Sequence, residues 1–243
     1  MIIGKGYTNQ GGREYNEDTG TFAKKDGFCY AVMADGLGGH GNGDVASKTA
    51  VNTVRECIHN MPKNAVVTEE DMIEWFDRAN QSVLVLQNDQ CHMKTTLALL
   101  CVDEKRETAH IAHLGDSRVY HFEDGRCVFY TFDHSVSRMA VLAGEIAIED
   151  IRHHADRSKL LKAIGKSEDV KAETKTIALD KNAEHAFLLC TDGFWEYVTE
   201  AEMEKTLASA KSPEEWIHKM RKYIKKKAKD GNDNNSAIAI WVI

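Results

Sequence analysis

Proline is nearly absent, with two in 243 residues. No Pro-rich linker, low-complexity tract or internal repeat divides the chain, and one domain over residues 1–243 is expected. No stretch approaches the ~20 apolar residues of a membrane span. The opening Met1-Ile2-Ile3-Gly4-Lys5-Gly6 has no apolar run long enough for a signal peptide. Positive charge is in deficit: 31 Lys and Arg against 38 Asp and Glu leave a net −7. That balance argues against a nucleic-acid binder. Cysteine pairing is missing as well. The six cysteines, at 29, 57, 91, 101, 127 and 190, include no CxxC. Neither a zinc finger nor a disulfide framework is expected, and reduced thiols in a cytoplasmic protein are. There is no GxxxxGK[ST] loop and no HExxH helix.

Strand signals are present over 28–35, 95–103, 108–114, 117–122, 126–132, 173–179, 186–191 and 236–243. Short connections, with Asp124-Gly125 as a hairpin turn, point to antiparallel sheet. A helix follows Gly43. A second begins at Thr68 with Asp71 as its capping partner, and a third at Thr199 with Glu202. A fourth begins at Ser212 with Pro213 at its first position and Glu215 completing the box. Two packed antiparallel sheets with helices outside are predicted, an α+β architecture. Residues 134–165 fit neither pattern and read as a helical insertion.

Asp-Gly occurs at 26–27, 35–36, 124–125, 192–193 and 230–231. Polar neighbours and flanking strands make turns of Asp26 and Asp124. Asp35 and Asp192 differ. Each ends an apolar strand, Ala31-Val32-Met33-Ala34 and Phe187-Leu188-Leu189-Cys190-Thr191, and is released at the sheet edge. Two carboxylates on one dry rim call for a divalent cation between them. Further carboxylates stand in Asn16-Glu17-Asp18, Gly115-Asp116-Ser117-Arg118 and Asp233-Asn234-Asn235-Ser236.

Gly36-Leu37-Gly38-Gly39-His40-Gly41 matches a dinucleotide fingerprint, but Asp35 would face the pyrophosphate and no second parallel strand follows. A haloacid-dehalogenase phosphatase needs a second Asp two residues on, where this chain has Leu37 and Phe194. The basic run Arg221–Lys229 reads as a solvated last helical turn.

In order, Arg13-x-x-Asn16-Glu17-Asp18, Ala34-Asp35-Gly36-Leu37-Gly38-Gly39-His40, Gly115-Asp116-Ser117-Arg118-x-Tyr120, Asp133-His134-Ser135, Thr191-Asp192-Gly193-x-Trp195 and Asp233-Asn234-x-Ser236 resemble the bacterial-type signature of the metal-dependent, type 2C protein serine/threonine phosphatases. The resemblance runs from residue 7 to the C-terminus. It implies a four-layer α-β-β-α sandwich with a flap at about 134–160. It also implies two Mn²⁺ or Mg²⁺ ions and attack by a bridging hydroxide without a phospho-enzyme.

By this resemblance Asp35 bridges the ions, the Gly36 carbonyl binds the second, and Asp192 and Asp233 complete the first. Glu17 reaches the second ion through water, with Asp18 in support. Asp116 matches the position of a third, weaker ion. Arg13 is similar to the phosphate-binding arginine and His40 to a general acid. The implied partners are phosphoserine and phosphothreonine proteins, opposite a Ser/Thr kinase, and the implied state is a monomer. Two other readings stay open: a pseudophosphatase that binds without turnover, and a phosphatase of small metabolites.

The chain departs from the family pattern at Lys94-Thr95-Thr96, where Gly precedes the threonines, and at Lys162, where Arg is frequent. Neither change removes a ligand.

Overall fold

The computed structural model describes residues 1–37, 42–166 and 170–243. Eleven strands form two sheets. In the first, β1 (Ile2–Asn9), β11 (Asn235–Val242), β10 (His185–Cys190), β7 (Arg118–Glu123) and β8 (Arg126–Tyr130) lie side by side in that order. In the second the order is β2 (Asp18–Lys25), β3 (Phe28–Leu37), β5 (Leu97–Asp103), β6 (Thr108–Leu114) and β9 (Glu173–Ala178), with the short β4 (Lys94–Thr95) on β3. Every pairing is antiparallel.

Alternation along β3 explains the layering. Cys29, Ala31 and Met33 face the other sheet, where Val119, Phe187, Leu189, Ile238 and Ile240 meet them. Tyr30, Val32 and Ala34 face outward into α1 (Gly43–Asn60) and α2 (Glu69–Leu84). On the far side, Tyr120, Phe122 and Leu188 pack under α5 (Glu200–Leu207) and α6 (Pro213–Lys227). Both faces of each sheet are therefore buried, which is why the central strands read as unbroken apolar runs despite antiparallel pairing. The result is the predicted α-β-β-α sandwich.

Local signals explain most boundaries. Thr68 and Asp71 form a reciprocal capping box, as do Thr199 and Glu202. The Ser212 box closes on one side only. Ser212 accepts from the Glu215 N–H, but Glu215 takes the Lys211 N–H in place of its own cap's. Asp26 and Asp124, at φ 46° and 49°, make the β2–β3 and β7–β8 turns with Gly27 and Gly125. Strands β1 and β2 are additions to the predicted set. Both are edge strands, rich in Gly, Thr and Lys, and carry little of the alternation that reveals a strand. The segment after β8 contains α3 (Val136–Leu142) and a 3₁₀ helix at Ile148–His153.

Candidate active site

Strand ends from both sheets meet at one cleft of about 870 Å³, lined among others by Arg13, Glu17, Asp35, Gly36, Asp192 and Asp233. Asp35 stands near the end of β3, and Asp18 is its direct partner on β2. Asp192 opens the single-turn helix α4 (Asp192–Trp195) just past β10, and Asp233 lies just before β11. Asp116, 5% exposed, sits on the β6–β7 turn behind the cleft. His40 lies outside the described residues.

Close backbone approach fixes the frame. A Cβ on Gly36 would come within 2.0 Å of the Gly43 carbonyl oxygen, and one on Gly193 equally near that of Asn234. Only glycine lets the chain after Asp35 lie against the start of α1. Glu17 is held there too, accepting the Gly43 N–H at 2.9 Å.

Supporting groups include several that sequence reasoning left aside. The Asp35 N–H donates to Thr96 Oγ1 at 2.9 Å, and the Asp35 carbonyl accepts from the Thr96 N–H and from Thr95 Oγ1. Thr96 Oγ1 then pairs with Ser117 Oγ at 2.6 Å, tying the Asp35 strand to the Asp116 turn. The two threonines after Lys94 were the available signal. Asn234 binds three neighbours: its amide nitrogen donates to the Gln10 and Tyr15 carbonyls, and its side-chain oxygen accepts the Glu17 N–H.

Behind the cleft, Arg118 is 4% exposed. It forms a two-pronged pair with Asp133, at 2.7 Å on each prong. Its guanidinium lies 3.5 Å from the Trp195 ring centre, and Trp195 Nε1 donates to the Asp116 carbonyl at 2.9 Å. One buried cation thus links the β6–β7 turn, the segment at Asp133 and the helix that begins with Asp192. The Asp133-His134-Ser135 and Gly-x-Trp195 motifs carried this information, but only the fold pairs them.

The cleft carboxyls repel one another. Asp35 and Asp192 sit on the floor of an open concavity, reached by solvent yet surrounded by protein. Burial first, and neighbouring aspartates next, raise Asp35, Asp116, Asp18 and Asp192 above the usual carboxylate range. Glu17 is raised chiefly by burial. Two buried oxygens, Asp18 Oδ1 and Asp192 Oδ1, have no hydrogen-bond donor among the described residues. Buried acceptors are rarely left so. Asp233 is turned to the rim, where it accepts from Arg13 Nη2 at 2.7 Å. Among the described residues, the only triads with one donor atom each within 4.8 Å are histidine-containing, so the cleft carboxylates are spread more widely.

An all-oxygen donor set, mutual repulsion and unpartnered buried oxygens together fit hard divalent cations. With an arginine fork at the mouth, the cleft suits the chemistry of a phosphate-ester hydrolase.

Known proteins narrow the class. The structure superimposes on serine/threonine phosphatase Stp1 from Staphylococcus aureus with a TM-score of 0.87 at 24% identity, covering 100% of this chain and 96% of that one. The catalytic domain of the serine threonine protein phosphatase PstP, in complex with two manganese ions, gives a TM-score of 0.80 at 20% identity, covering 100% of this chain and 99% of that one. The serine/threonine phosphatase stp of Listeria innocua is 33% identical over 236 residues, which cover 94% of this chain and 90% of that protein. The model of the protein phosphatase 2C family matches residues 5–231. The chain belongs to that family, in its bacterial type, and is a protein serine/threonine phosphatase. Its substrates are phosphoproteins, and divalent metals serve its family. Among the described residues no helix is long and apolar enough to cross a membrane.

Proposed function

We propose that the cleft holds two hard divalent cations, Mn²⁺ or Mg²⁺, and hydrolyses phosphoserine and phosphothreonine without a phospho-enzyme. The observation that carries this reading is the pair of buried oxygens, Asp18 Oδ1 and Asp192 Oδ1, that no donor among the described residues reaches. On this reading Asp35 would serve both ions, Asp192 and Asp233 would complete the first, and the Gly36 carbonyl would serve the second. Glu17 would assist the second with Asp18 behind it, and Asp116 would hold a third, weaker ion. When bound, the ions supply an activated water and neutralise charge on the phosphoryl group.

The side chains do the rest. Arg13, half exposed at the mouth, presents a planar fork suited to two phosphoryl oxygens. Its partner in this structure, Asp233 Oδ2, would be free to hold a cation when the fork binds phosphate. His40 is assigned proton transfer to the departing serine or threonine oxygen, an assignment that rests on the resemblance alone. No cysteine lines the cleft among the described residues, and burial pushes the Cys29 thiol up to about 12. Neither observation favours a thiolate nucleophile.

Residues 134–160 are proposed as the flap. Ser158 lines the cleft, and Arg157 pairs with Glu196 four residues past Asp192. A monomer acting in the cytoplasm against a Ser/Thr kinase completes the reading.

The test is phosphate release from a phosphothreonine peptide with Mn²⁺, with chelator, and with Asp192→Asn. Release that needs metal and falls at least ~10³-fold in the variant, about 4 kcal/mol of transition-state stabilisation, is expected. Equal release by parent and variant would overturn the site.

A further inference from the structure

Away from the cleft, the other end of the β7–β10 pair carries a second constellation of donors. His121 and Glu123 are two residues apart on β7 and so share a face. His185, the first residue of β10, is the direct cross-strand partner of Glu123. By strand rise it stands roughly 16 Å from Cys190, where the strand reaches the catalytic rim.

We propose that His121 Nε2, His185 Nδ1 and a Glu123 carboxylate oxygen form a binding site for one imidazole-preferring divalent ion of the zinc class, distinct from the catalytic cleft.

Geometry carries the assignment. The three donor atoms all lie within 4.8 Å of one another. His121 Nε2 and His185 Nδ1 are 3.0 Å apart, and Glu123 Oε2 is 3.8 Å from His185 Nδ1. Two nitrogens bound tetrahedrally to one zinc ion lie about 3.3 Å apart, so the imidazoles need to open by only a few tenths of an ångström.

Outer contacts orient both rings. His185 Nε2 donates to the Asp180 carbonyl at 2.9 Å, which leaves the Nδ1 lone pair directed at the site. Phe187 stacks on His121 with ring centres 4.6 Å apart and planes inclined by 11°. His121 Nε2–H currently donates to His185 Nδ1. Metal binding requires His121 to carry that proton on Nδ1 instead, so the neutral protein releases no net proton.

Both histidines are nearly fully buried, whereas the Glu123 side chain is 41% exposed and opens a path for the ion. A His₂Glu set leaves a fourth position for water.

A second triad, His113, His134 and Glu173, also converges but lacks this arrangement. There His134 Nδ1 already accepts the Gly115 N–H, which leaves the ring's proton on the Nε2 that faces Glu173.

Zn²⁺ titration of the full chain, saturated with Mg²⁺ to occupy the oxygen-donor cleft, tests the site. Calorimetry counts equivalents, and ¹⁵N signals of the histidine rings report where the ion binds. One further equivalent is expected, with the His121 Nε2 and His185 Nδ1 signals shifted. Glu123→Gln, at an exposed side chain, should weaken binding at least ~10-fold, and His185→Gln should abolish it. Unmoved ring signals in the parent protein, or unchanged binding in Glu123→Gln, would overturn the proposal.

Discussion

Two buried charge systems lie back to back in this protein, and only one of them is complete. Arg118 and Asp133 satisfy each other through two short hydrogen bonds, and Trp195 and Tyr130 cover the guanidinium. At the cleft, Asp18, Asp35, Asp116 and Asp192 raise one another's pKa, and two of their oxygens have no donor among the described residues. The chain thus supplies a buried arginine to Asp133, whereas at the cleft Arg13 stays at the mouth with Asp233. A desolvated, repelling rim costs stability. On the proposed function it is the half of an ion site that protein can provide, with the Arg118 pair behind it.

Breaking the complete system should have the largest effect. Asp133→Ala leaves the Arg118 charge buried without its partner and should lower unfolding stability by about 3–5 kcal/mol, measured by denaturant titration. A loss under 1 kcal/mol would mean that the aromatic cover and Tyr120 suffice.

Acid should separate the two systems next. His121 and His134 are each held down to about 4, mainly by burial. Their stabilising effect is complete above the unfolded value near 6.5 and is lost as pH falls toward 4, at about 1.4 kcal/mol per unit for each ring. The rim carboxyls act in the opposite sense when no ion is bound. Their folded values are raised, so the folded state gains protons before the unfolded chain does, and acid relieves the repulsion. The melting temperature should therefore fall more steeply from pH 7 to 5 with saturating Mg²⁺ than with chelator. Parallel slopes would contradict a repelling rim.

Asp192→Asn sharpens the contrast in a second way. While it removes activity, it deletes one of the repelling charges, and in chelator it should raise stability by about 1 kcal/mol. Destabilisation in chelator would show that Asp192 is structurally paired. The smallest effect is expected at Lys94, which lines the cleft but has no ligand role. Lys94→Gly removes one partly exposed charge, worth less than about 1 kcal/mol. It should raise KM less than ~5-fold and leave kcat unchanged in steady-state assays.

What was legible in the chain follows the same division. Asp35 and Asp192 stood out because each ends an apolar run in Asp-Gly, a local signal. The Thr68–Asp71 and Thr199–Glu202 boxes were legible for the same reason. Strands β1 and β2 were not, because edge strands with Gly4, Gly6 and Gly20 bury too few side chains to impose alternation. The Arg118–Asp133 pair joins residues 15 apart across a hairpin, and Thr191 donates to Asp18 across 173 residues. Such partners exist only once the sheets are assembled. The lone half-closed cap, at Ser212, failed because Glu215 found a competing N–H one residue earlier.

The rim is also a clasp in time. Arg13 meets Asp233 across 220 residues, and Glu17 meets Asn234 across 217. Closing loops of that length is among the slowest events in assembling a chain. A chain cut before Asp233 loses both partners and with them one wall of the cleft, so such a shortened product should not act on phosphoproteins however well α1 and α2 form.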